Sequence, residues 1–123
     1  AEFSPFELED AILQGKTSKA LEIIKSLRKA DSYSGPLLIW IMAKITNLAS
    51  IASKHKSPQM YLKNSGVWQS KINDYLSFIK NQTNDDLNSM QKKIYELELS
   101  LKGLIKKDFW IELESLICQL GPN

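Results

Sequence analysis

The stretch from Gly35 to Ser53 constrains the fold more than any other part of the chain. It opens Gly35-Pro36 and runs through Leu37, Leu38, Ile39, Trp40, Ile41, Met42 and Ala43 without a polar residue. Lys44 interrupts it, and Ile45, Leu48, Ala49, Ile51 and Ala52 carry it on. A helix apolar nearly all the way round has other helices around it. The unbroken run is much shorter than the ~20 residues that span a bilayer, so a buried core helix is expected and no membrane partner. Leu38, Ile41, Ile45 and Leu48 are expected to be buried.

The other segments supply what would surround that helix. Ser4-Pro5-Phe6-Glu7 reads as a capping box with proline in the first turn, opening a short helix to about Gln14, with Gly15 ending it. Thr17 or Ser18 is expected to cap a second helix, with Ala20, Leu21, Ile23, Ile24 and Leu27 on one stripe. Ser57-Pro58 starts a helix of one or two turns, closed by Asn64-Ser65-Gly66. Val67 to Lys80 is expected to form an amphipathic helix with Ile72, Tyr75, Leu76 and Ile79 inward. Leu87, Met90, Ile94, Leu97, Leu101 and Leu104 recur three or four apart, which makes a packing seam from Asp85 to Lys102 and beyond. Asp108 caps a last helix, and Gly121-Pro122 stops it. No stretch alternates as a strand would. The fold class expected is all-α, a single compact bundle of six or seven helices.

The 123 residues fit one domain with one core. A net charge of +2 does not argue for a dedicated nucleic-acid binder. A single cysteine rules out an internal disulfide framework and fits a reducing, cytoplasmic setting. Ala1-Glu2-Phe3 reads as a cloning remnant, so the chain is expected to be a fragment of a longer protein.

Catalytic chemistry finds little footing. His55 has no cysteine or carboxylate at ligand spacing, so no metal site is expected. Cys118 lies beside Ile117 on an apolar stripe and is expected to be a buried structural thiol rather than a nucleophile. Gly15-Lys16-Thr17 has the tail of a phosphate loop without its upstream glycine or strand. No cofactor and no enzymatic activity are expected of this chain. One segment does stand out by charge. From Lys54 to Lys80 there are five lysines and one acid, Asp74, interleaved with Tyr61, Trp68 and Tyr75. Lysines for phosphate and aromatics for stacking suit single-stranded or junction DNA. The competing reading places Tyr75, and Trp68 with it, on the apolar stripe and the lysines on a solvated face.

The ordered motifs resemble a known family. Ser4-Pro5-Phe6 with Asp10-Ala11 and Gly15-Lys16, then Ala20-Leu21 and Leu27, are followed by Gly35-Pro36-Leu37-Leu38-Ile39-Trp40. Next come Val67-Trp68, Glu98-Leu99-Ser100-Leu101-Lys102 and Phe109-Trp110-Ile111-Glu112-Leu113-Glu114. Together they are similar to the C-terminal domain of the delta subunit of bacterial DNA polymerase III, a clamp-loader component. The resemblance covers essentially the whole chain, and its specificity lies in the order and spacing of the motifs.

The resemblance implies a helical collar domain over residues 4–123 that assembles the clamp-loader pentamer with the gamma or tau and delta-prime subunits. AAA+-like domains that open the sliding clamp would precede residue 4. The pentamer loads that clamp onto primed DNA during replication, in the cytoplasm at the nucleoid. It further implies that Trp68, with Lys63 and Lys71 nearby, meets the template strand. A loop ahead of the last helix, here with Lys106 and Lys107, would approach the template as well. Ile105 stands where some members place an aromatic, and Asn47 where many have an arginine. The alternative reading is a helical nucleic-acid-binding or regulatory domain using the lysine-rich segment 54–80.

Overall fold

A computed structural model describes residues 3–31 and 33–121. The described residues form seven helices and no strand: α1 Pro5–Leu13, α2 Thr17–Ala30, α3 Gly35–Lys54, α4 Pro58–Asn64, α5 Gln69–Lys80, α6 Asn84–Leu101 and α7 Phe109–Leu120. The expected all-α bundle is therefore what the chain adopts. Of the proposed remnant, Ala1 and Glu2 lie outside the described residues, as does Pro122 at the far end.

The helix starts follow from local chemistry. Ser4 and Glu7 form the reciprocal capping box of α1, with the Ser4 N–H donating to Glu7 Oε2 at 2.7 Å. Ser57 accepts from the Met60 N–H, and Asp108 from the Ile111 N–H. Of the two caps the sequence offers α6, Asn84 and Thr83, it is Thr83 that serves, in a second capping box with Asp86.

The start of α2 departs from expectation. Neither Thr17 nor Ser18 caps it; the N-cap is Lys16, whose side chain makes no capping bond. The cause lies at the end of α1. Gly15 takes a left-handed φ of 70°, its N–H donates to the Ile12 carbonyl, and the Lys16 N–H donates to the Ala11 carbonyl at 2.8 Å. That pair of bonds is the Schellman closure of α1, and Lys16 serves both helices at once. No residue is left over to act as a separate cap.

α3 runs through the middle and packs against α1, α4, α5 and α6. By length and composition it is, among the described residues, the one helix apolar enough to cross a membrane, yet its inner face is covered by the bundle. Leu38, Ile41 and Ile45 are buried as expected. Leu48 is only half-buried, because it forms a wall of the groove described below. Leu37, Trp40 and Ile51 share the outward stripe of α3 and are exposed. Gly35 permits a close approach at the start of this helix: a Cβ there would lie 2.8 Å from Leu101 Cδ1.

Two further expectations are corrected. The α6 seam buries Leu87, Met90, Ile94 and Leu97, but it stops there. The helix closes at Leu101, so Leu104 falls beyond it and is exposed. Cys118 is exposed rather than buried. The buried stripe of α7 is Phe109, Leu113, Leu116 and Ile117, and one further residue turns the helix by about 100°, which carries position 118 away from the core.

Candidate functional site

The sequence points to Trp68, and the turn that carries it explains where its side chain goes. α4 ends at Asn64, and its closure runs through Gly66, which has a φ of 86°. The Val67 N–H reaches back to the Leu62 carbonyl at 3.1 Å, and Val67 packs half-buried against the core. Trp68 follows as the N-cap of α5, in extended conformation. The amphipathic helix therefore begins two residues later than the sequence predicts. Val67 takes the inward position and Trp68 points out, 75% exposed. The reading that put Trp68 in the core does not apply; Tyr75, by contrast, is fully buried.

Trp68 stands at the rim of an open groove of about 520 Å³. Phe6, Leu48 and Val67 line its apolar side; Glu9, Lys44, Lys71 and Tyr75 line the other. Three helices meet here, α1, α3 and α5. Their junction is polar at its base. Glu9 is 2% exposed, and both of its oxygens are engaged. Tyr75 Oη donates to Oε2 at 2.6 Å, Lys71 Nζ donates to Oε1 at 2.9 Å, and Lys44 Nζ lies 3.1 Å from Oε2. Lys71 Nζ also pairs with Asp10 at 3.2 Å. Lys44 in turn sits 5.6 Å from the centre of the half-exposed Trp40 ring.

The electrostatics follow from these contacts. Burial alone would push the Glu9 carboxyl up, but the hydrogen bonds from Tyr75, Lys71 and Lys44 together outweigh it and hold the group below its ordinary value. Burial would lower the Lys71 ammonium; its bonds to Glu9 and Asp10 win, and its value is raised. The Tyr75 phenol is pushed up by burial first and by Glu9 and Asp10 after that. Glu9 is thus ionised, Lys71 charged and Tyr75 neutral across the ordinary pH range.

The structure separates the lysines that the sequence groups together. Lys63 is exposed at the end of α4. Lys71 is drawn inward by two carboxylates and is the least solvated of the set. Lys106 is exposed, and Lys107 lies 3.5 Å from Glu96. Lys106 and Lys107 follow α6, not the α4–α5 turn that carries Trp68. Among the described residues no group of three or more histidine, cysteine, aspartate or glutamate side chains is placed to hold a metal ion.

Sequence reasoning missed Glu9 altogether. The signal was there in outline: Glu9 interrupts the buried face of α1 between Leu8 and Leu13, Lys44 interrupts α3, and Lys71 and Tyr75 are one helical turn apart. What periodicity lacks is the pairing of interruptions some sixty residues apart.

Comparison with known proteins agrees with the motifs. No family model matches the chain. It is 28% identical over 118 residues, 94% of its length, to the DNA polymerase III subunit delta of Escherichia coli K12. It is 26% identical over 125 aligned positions, 93% of its length, to that of Haemophilus influenzae. This chain is similar to DNA polymerase III delta subunits. It spans about a third of the length of these relatives, 34% and 36%. The likeness to delta subunits covers 94% of the chain, so Trp68, near its middle, lies within the part that carries it.

Proposed function

We propose that this chain is the helical C-terminal domain of a DNA polymerase III delta subunit and acts as a docking module of the clamp loader. The observation that carries the reading is the similarity to two delta subunits across 93–94% of an all-helical chain. In this reading the domain joins delta to the gamma or tau and delta-prime subunits, helix against helix. Clamp opening belongs to the remaining two thirds of such a protein, and the assembled complex places the sliding clamp on primed DNA in the cytoplasm. The exposed apolar side chains on the outer stripe of α3, Leu37, Trp40 and Ile51, are of the kind a partner helix would cover. Within the complex, Trp68 is the proposed stacking contact to template DNA, with Lys63, Lys106 and Lys107 as sources of phosphate attraction. Lys71 enters that list only as a neighbour, because its charge is already matched.

The experiment is co-purification. The domain should associate with gamma and delta-prime at micromolar concentration, and failure to do so would overturn the docking role. Trp68→Ala in a full loader should leave assembly intact and weaken primer-template binding; unchanged DNA affinity would remove the contact role. The alternative, a nucleic-acid-binding domain acting alone through segment 54–80, requires salt-dependent binding by the isolated chain. The inward ion pairs of Lys71 lower the charge that segment presents.

A further inference from the structure

Glu9 is a buried carboxylate engaged by two ammonium groups and a phenol. Core packing does not require this, since an apolar residue of similar volume fills such a space at no loss. Its partners lie in telling places. Lys44 is on α3, and Lys71 and Tyr75 are on α5. Lys71 is three residues after Trp68, and its N–H donates to the Trp68 carbonyl at 2.8 Å. α5 has no side-chain cap. Beside the buried Ile72 and the half-buried Val67, its first turn is held to the bundle by the Lys71 ammonium, through Glu9 and Asp10 on α1.

We infer that Glu9 is a positioning residue for Trp68: by drawing Lys71 against α1, and α3 in through Lys44, it fixes the first turn of α5 and with it the indole at the groove rim. The same contacts make Lys71 a strut instead of an anion ligand. The groups facing Glu9 are Asp10 on its own helix, Lys44 from α3, and Lys71 and Tyr75 from α5. The use of this positioning rests on the contact role proposed for Trp68, but the test reads only the surroundings of the indole, so the two can fail separately.

The test uses the chain with Trp40→Phe and Trp110→Phe, leaving Trp68 as the one indole. Glu9→Gln keeps an acceptor for Tyr75 and removes the charge that holds Lys44 and one of the two that hold Lys71. Trp68 emission and its quenching by neutral acrylamide should both shift, with helicity retained, as the first turn of α5 is released from α1. Lys71→Met should shift both in the same direction. Unchanged emission and quenching in both folded variants would falsify the inference. If Glu9→Gln does not fold, Lys71→Met and acid titration of the parent decide. Trp68 emission should then change before helicity is lost; emission and helicity falling together would overturn the positioning role.

Discussion

Tyr75 and Trp68 sit seven residues apart and meet opposite fates. Tyr75 is fully buried, with its hydroxyl 2.6 Å from Glu9; Trp68 leaves the bundle. Tyr75→Phe conserves volume and removes one charge-assisted hydrogen bond from a carboxylate that cannot be rehydrated. We expect a loss of about 2 kcal/mol in urea unfolding followed by circular dichroism. The pH dependence has a definite sign. Glu9 is lowered from 4.5, so as pH falls below that value the unfolded chain binds the proton first and stability drops. Tyr75 is raised from 10.0, so above that value the unfolded chain loses its proton first and stability drops again. Lys71, raised from 10.5, gives up its contribution as pH rises through its folded value. The junction should therefore be at full strength between about 4.5 and 10, and Tyr75→Phe should remove the phenol's share of the alkaline decline. A flat stability profile below pH 4.5 in the parent chain would show that Glu9 is not held as described.

At the scale of the helix, most of the architecture is legible in the sequence because it is local. Ser4 with Glu7, Ser57 before Pro58, and Asp108 mark three helix starts within a few residues of the groups they bond. The left-handed closures at Gly15 and Gly66 are equally local. The departures lie where two local signals meet. Lys16 is shared by two helices, so Thr17 was not free to cap, and the Gly66 closure claimed Val67 and delayed α5 to Gln69. That second case decided the site, since it turned Trp68 outward. Gly66→Ala tests it. A Cβ there meets no atom within 4 Å, so the cost is that of the backbone conformation alone. We expect about 1 kcal/mol in thermal unfolding, with Gly66→Asn losing less. A loss much larger than that would mean the closure holds more than its own turn. Cys118 and Leu48 show the other limit of pattern reading. Each sits at the edge of an apolar stripe, where exposure depends on which neighbouring helix arrives.

At the scale of the whole molecule, the contacts divide by how far along the chain they reach. α1 packs on α2 and α6 on α7, each pair joined by a short connection. The charged junction reaches further, Lys71 and Tyr75 lying 62 and 66 residues from Glu9, and the packing of α2 on α7 reaches further still. This is why the candidate groove was not legible in the sequence although its rim residue was. Trp68 belongs to a short motif, whereas the floor beneath it is assembled from three separate helices. The same division bears on the order in which the molecule comes together. Closing a loop of some sixty residues is entropically dearer than closing a helical hairpin, and the reward is realised only once all three helices are in place. The junction should therefore be largely unformed at the folding barrier. In stopped-flow measurements Tyr75→Phe should leave the refolding rate nearly unchanged and accelerate unfolding about thirtyfold, in proportion to the stability lost. Slowed refolding would instead place Glu9 in the nucleus. On this account the buried carboxylate acts as a latch that closes late, governing how long the domain stays folded rather than how quickly it gets there.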